Sequence, residues 1–287
     1  KERSNYEKSK RKTGIPARRG GGNSVAPAHS FEDLFKIFVP GQAARLGFTL
    51  AEVLITLGII GVVAAMTLPT VINNTKNKEL ETAFKKTYSQ LGQAIQSIFL
   101  QEYGGSGFYI GTTADMNKGE FTKFINYMQK QYKQSSICID GQKNCPLSIF
   151  PLKAYSGTDG TTFIRNNYKS YNAKSANASG YCNDGIMSIT DGSFIFFDTS
   201  SSDQDTAGKF FICIDVNGWK KRPNRFGHDF FMFEINQNTG KLLPMGVENS
   251  IFPEDEYCSH TSTSVKNGLG CTAKALTEKD YFNNLPK

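Results

Sequence analysis

Motifs that carry catalysis are missing from this chain of 287 residues. It has no G-x-S-x-G, no H-E-x-x-H and no P-loop, and Gly104-Gly105-Ser106-Gly107 lacks the Lys-Ser/Thr that a phosphate cradle needs. Histidine is scarce as well. His29, His228 and His260 are scattered with no partner one helical turn away, so no imidazole metal or acid–base centre is encoded locally, and exposed loop positions suit them best. None of the six cysteines forms a C-x-x-C pair or joins a Cys/His cluster, which argues against a structural zinc. These absences lead to the expectation of a protein that is not an enzyme and holds no cofactor.

A surplus of charge of one sign is also missing from most of the chain. The formal charge is +7, but residues 1–47 hold ten Lys/Arg against four Asp/Glu, which leaves about +1 for residues 48–287. A basic composition would suggest nucleic acid, yet the surplus belongs to a leading segment rich in Gly, Ser and Pro, where residues 1 to about 30 have too little apolar content to fold. Nucleic acid is therefore not an expected partner. A short apolar patch from Phe31 to Gly41 follows and is stopped by Pro40.

What the chain does have is one long apolar run. From Phe48 to Ile72 the single charged residue is Glu52, and the 20 residues from Val53 onward would span roughly 30 Å as a helix, the thickness of a bilayer core. Gly58, Gly61, Ala64 and Ala65 are small enough to let neighbouring helices approach, and Pro69 is expected to loosen the helix without ending it. Beyond Asn73 the pattern becomes amphipathic. Leu80, Phe84, Tyr88, Leu91, Ile95 and Ile98 recur at steps of three and four, so one helix should continue to about residue 104, apolar all round in its first half and striped in its second. A shorter helix is expected over Lys118 to Tyr132 on the stripe Phe121, Phe124, Ile125 and Met128.

The C-terminal half reads as strands. Asp191-Gly192 sits between two runs rich in Ile and Phe, a hairpin signal, and Lys209–Val216, Asp229–Ile235 and Lys241–Gly246 continue the series. The expected class is α+β: a long N-terminal helix whose amphipathic half packs on a C-terminal antiparallel sheet. The expected divisions are 1–47, 48–72, 73–104 and a head at 105–287. The even count of cysteines points to disulfides in an oxidising compartment; six allow about fifteen pairings, and adjacency suggests Cys138 with Cys145, Cys182 with Cys213 and Cys258 with Cys271. Buried free thiols are the alternative, against which stand the polar surroundings of Cys145, Cys182, Cys258 and Cys271.

One loop, Asp215 to Asp229, offers Asp215, Asn217, Asn224 and Asp229 as oxygen ligands for calcium, although Lys220, Lys221, Arg222 and Arg225 stand where further acidic ligands would be wanted. A hairpin connection held by Asx turns and Pro223 explains the same residues. The basic residues, with Trp219 and Phe226 among them, could also meet DNA or an acidic surface, though a solvated loop is commoner.

Gly47, Phe48, Glu52 and Pro69 together resemble the N-terminal signature of the type IV pilin family, which includes the type II secretion pseudopilins. The resemblance implies removal of residues 1–47 by a prepilin peptidase, N-methylation of Phe48 as the first mature residue, Glu52 as the fifth and Pro69 as the twenty-second. It implies assembly with other pilin or pseudopilin subunits on an inner-membrane platform, driven by a separate ATPase, with the head extracytoplasmic and the filament in the periplasm or at the cell surface. Physical reasoning gives the signature its sense. Basic residues such as Arg45 hold the leader in the cytoplasm, and a cut before the apolar run leaves that run as an anchor. An unpaired Glu52 in hydrocarbon would cost roughly 3 kcal/mol or more. The amine freed at Phe48 of an incoming subunit could neutralise it, whereas a glutamate snorkelling to the interface is the plainer alternative. The other reading of the whole chain is a monomeric, membrane-anchored binding protein using the Asp215–Asp229 or Cys258–Cys271 loop.

Overall fold

A computed structural model describes residues 47–110, 119–133, 135–139, 157–178, 180–199 and 208–287. Residues 1–46, and with them all of the leader but Gly47, Phe31–Gly41 and His29 included, lie outside the described residues, as does Cys145. The chain divides into two units, residues 1–60 and 61–287. The fold is α+β.

Helix α1 covers Leu50–Gln101 and is continuous through Pro69. In its second half the stripe expected from the spacing is buried at Leu80, Phe84, Leu91, Ile95 and Ile98, joined by Thr87, Ala94 and Phe99. Tyr88 is only half-buried and stacks on Phe233 at 5.5 Å between ring centres, because a 3.6-residue period brings Thr87 under the helix and leaves Tyr88 on the flank. The helix stops where glycines allow a left-handed backbone: Gly104 and Gly105 have φ of 63° and 73°, and the Gly105 amide donates to the Phe99 carbonyl.

Six strands follow the chain in order across one antiparallel meander: β1 (Ser136–Ile139), β2 (Gly185–Ser188), β3 (Phe194–Thr199), β4 (Phe210–Asp215), β5 (Phe230–Asn236) and β6 (Lys241–Pro244). Short turns join the strands from β2 to β3 and from β5 to β6, which antiparallel pairing permits. The β2–β3 turn is the expected one, with Gly192 at φ 92° and the Asp191 carboxylate accepting from the Ser193 amide.

The central strands are apolar on both faces, and each face has its own cover. Ile195, Phe197, Ile212, Phe231 and Phe233 join the stripe of α1 and the apolar face of α2 (Glu120–Gln131), where Phe121, Phe124, Ile125 and Met128 are fully buried. The rings of Phe84 and Phe231 lie 4.1 Å apart. On the opposite face, Phe196, Phe211, Phe230 and Met232 pack with Phe163 and Ile164 of α3 (Gly157–Asn167), with Tyr168 and with Phe252. Alternation along the strands assigns each residue to its side. Gly240, at φ 66° in the β5–β6 turn, lies so close to Phe99 that a Cβ would collide with the ring, and its carbonyl accepts from Gln96 at 2.7 Å.

After β6 the chain forms two short helices, α4 (Glu254–Tyr257) and α5 (Thr272–Thr277). Disulfides join Cys182 to Cys213 and Cys258 to Cys271, two of the pairings that adjacency suggested. The polar neighbours of these cysteines mislead, since Cys182, Cys258 and Cys271 are all buried. The third suggested pair includes Cys145 and falls outside the described residues.

Candidate functional site: the apolar helix and the basic loop

The first turns of α1 hold the residues singled out in the sequence. Gly47 and Phe48 precede the helix, and Phe48 is 86% exposed. Thr49 and Glu52 cap it reciprocally. The Thr49 amide and hydroxyl donate to Glu52 Oε2 at 2.8 and 2.9 Å, while the Glu52 amide donates to Thr49 Oγ1 at 3.2 Å. This is a capping box, in which two otherwise orphan N–H groups find acceptors and a carboxylate sits at the positive end of the helix. Thr49 was missed, although the spacing T-x-x-E ahead of an apolar run is its sequence signal.

Beyond this cap the helix presents apolar side chains in every direction. Leu54, Ile55, Leu57, Ile60, Val62 and Met66 are all exposed, and Ile60 keeps 63% of its surface. An 18-residue window of α1 reaches a mean hydropathy of 2.2, making it the one helix among the described residues long and apolar enough to cross a membrane. Apolar exposure on this scale exceeds the patches that soluble monomers ordinarily leave uncovered. Thr56, Thr67 and Thr75 turn their hydroxyls back onto helix carbonyls, so these polar atoms are satisfied within the helix.

The structure does bring the four candidate calcium ligands into one loop, between β4 and β5. Asp215 ends β4 and Asp229 precedes β5, and both are fully buried. Donors of the chain itself hold their carboxylates. Asp215 Oδ1 accepts from the amides of Gly218 at 2.8 Å and Asn217 at 3.2 Å, and its Oδ2 accepts from the Tyr168 hydroxyl at 2.5 Å. Asp229 accepts from the amides of Asn224 at 2.6 Å and Arg225 at 2.7 Å. The side-chain amides of Asn217 and Asn224 donate to the carbonyls of Arg222 and Trp219, tying the turn to itself. Such bonds belong to a connection held by Asx turns.

Burial leaves its mark on these acids. Desolvation pushes Asp215 up to about 6 against the pull of its hydrogen bonds, and burial together with the nearby Asp215 pushes Asp229 well above the usual carboxylate range. Asp198, on the same sheet face, is raised by burial and then by Asp184. His228 corrects the expectation of an exposed loop histidine. It is 4% exposed, its ring Nε2 lies 2.9 Å from the Tyr171 carbonyl, and burial lowers its pKa to about 4, so the ring is neutral and donates that bond. His260 is exposed as expected.

The aromatic residues of the loop are committed inward. Phe226 is fully buried beside Tyr168 and Phe230, and half-buried Trp219 packs edge-on against Phe163 at 5.9 Å. Phe226 is thus not available for stacking on bases, whereas Lys220, Lys221 and Arg222 remain on the surface. No protein-family model, curated protein or solved structure matches this chain.

Proposed function

We propose that this protein is a pilin-like structural subunit of a type IV pilus or a type II secretion pseudopilus, matured by a prepilin peptidase and assembled through its N-terminal helix. The observation that carries the reading is a Gly47-Phe48 junction followed by an uncovered apolar helix with one carboxylate, Glu52, in its first turn. Cleavage there leaves the helix as a single-pass anchor in the bacterial inner membrane, with the disulfide-bonded head extracytoplasmic. In the filament, the apolar halves of neighbouring subunits cover one another, and small residues such as Gly58 and Gly61 allow close approach. The protein is not an enzyme on this reading; its partners are further subunits, the peptidase, the assembly platform and the lipid bilayer.

The capping box refines the role of Glu52. Thr49 supplies the carboxylate with two donors inside its own chain, and the amine freed at Phe48 adds the countercharge that hydrocarbon demands. Glu52→Ala is expected to be processed normally but to yield at least about tenfold fewer sheared filaments than wild type, by ultracentrifugation from cells that carry the assembly machinery; a factor of ten corresponds to about 1.4 kcal/mol. Wild-type filament yield from Glu52→Ala would remove the pairing role. A wild-type chain that stays monomeric in the membrane would instead support the anchored binding protein.

A further inference from the structure

A cleft of about 1050 Å³ opens within the unit 61–287, where the apolar run of α1 gives way to charge. Its helix wall includes Thr70, Asn73 and Lys76, and its opposite wall includes Lys221, Arg222 and Arg225 of the β4–β5 loop. Thr70 stands two residues before the end of the apolar run at Ile72, and Lys76 is about 9 Å further along the helix axis. The loop cations therefore line a cavity at the level where a spanning helix leaves the hydrocarbon for the headgroup zone.

The lining is predominantly basic. Against Lys76, Lys86, Lys221, Arg222, Arg225 and Lys287 stand Glu79 and Asp191, and Asp191 is already paired with Lys86 at 2.7 Å. Buried His228, also in the lining, is neutral. Arg225 is half-buried and donates to the Pro286 carbonyl at 3.0 Å. Lys76, Lys221 and Arg222 are exposed and make no salt bridge among the described residues. Phosphate oxygens suit this set: Arg222 presents a planar fork that can bond two oxygens, while the lysines act as mobile point charges.

We propose that this cleft seats the headgroup phosphate of an anionic phospholipid, with Lys76, Lys221 and Arg222 as its contacts. The assignment rests on the reading of residues 48–72 as a membrane span. Depth favours a lipid over other anions, because headgroup phosphates are what a cavity at this level of a spanning helix meets. The head would then be held against the bilayer before assembly and released when the subunit is drawn into a filament.

The test uses the full chain. Flotation with vesicles of phosphatidylcholine, alone or mixed with phosphatidylglycerol, first reports membrane insertion. Native mass spectrometry from detergent supplied with both lipids then reports which lipid is retained. Wild type is expected to float with both vesicle types and to retain phosphatidylglycerol about tenfold over phosphatidylcholine, as several surface cations acting together would give. The variant Lys76→Gln/Lys221→Gln/Arg222→Gln is expected to float equally well and to lose that preference. Lys133→Gln/Lys241→Gln/Lys279→Gln, which removes the same charge from exposed sites elsewhere, is expected to keep it. Equal retention of the two lipids by wild type, a preference that survives in the cleft variant, or equal loss in both variants overturns the proposal while leaving the span intact. Failure to float with either vesicle contradicts the span itself and the cleft assignment with it. A lipid-free dimer that the cleft variant abolishes would assign the surface to a second copy of the chain.

Discussion

Both halves of α1 carry large apolar side chains, and these meet opposite fates. Phe84 and Ile95 in the second half have no exposed surface, whereas Ile60 in the first keeps 63% of its own. The second half is stabilised from within the chain, by a sheet that burial of its stripe completes. Among the described residues the large apolar side chains of the first half stay exposed, and an uncovered surface of this kind is unfavourable in water at roughly 25 cal/mol per Å². Position along one helix thus separates a buried element from an exposed one.

Substitutions can break this contrast or sharpen it, with the full chain held in detergent and the head followed by its near-ultraviolet dichroism on heating. Phe84→Ala removes a fully buried ring whose centre lies 4.1 Å from that of Phe231 and is expected to destabilise the head by about 3–5 kcal/mol. Replacing Cys258 and Cys271 by serine opens a short loop, closed across a sequence separation of 13, and is expected to cost about 3 kcal/mol in chemical denaturation. His228 gives a smaller, pH-dependent term. Its folded pKa of about 4 lies below the ordinary 6.5, so the unfolded chain takes up the proton first, and the stability it contributes is complete above pH 6.5 and lost as pH falls toward 4. Between about pH 7 and pH 5 the stability difference between wild type and His228→Asn should shift toward the variant by about 2 kcal/mol. Asp215 works in the opposite sense, since its raised pKa adds stability at low pH that is lost as pH rises through about 6. The smallest effect belongs to the first half: Ile60→Ala should leave head stability within about 0.5 kcal/mol of wild type. A large loss there would show that the apolar half is part of the folding unit after all.

Local patterns made much of this legible in the sequence. The stripe from Leu80 to Ile98, the hairpin at Asp191-Gly192 and two of the disulfides rest on periodicity, turn chemistry or adjacency, all of which are visible within a short window. What escaped depends on distant partners. Strand β1 is four residues long and becomes a strand by pairing with β2 some fifty residues on. Helix α3 opens on Gly-Thr-Asp-Gly, poor helix formers, and is held by Phe163 and Ile164 in the core beneath the sheet. His228 lies in a loop that carries Lys220, Lys221, Arg222 and Arg225, yet the Tyr171 carbonyl, 57 positions earlier, draws it inside. Likewise, the Asp215 carboxylate finds the Tyr168 hydroxyl, 47 positions away. At the candidate site, Gly47, Phe48, Glu52 and Pro69 could be read directly, while Thr49 and the basic wall opposite Thr70 needed the geometry.

A pilin-like subunit must be cut between Gly47 and Phe48, and the mass of the mature protein reports that cut. The chain should be expressed in a bacterium that possesses a prepilin peptidase, extracted from membranes and measured intact, with the first residues sequenced by fragmentation. The prediction is a chain lacking residues 1–47 and beginning at N-methylated Phe48, with the apolar run retained. A chain that keeps residues before Phe48, or one that begins beyond Ile72, would contradict it.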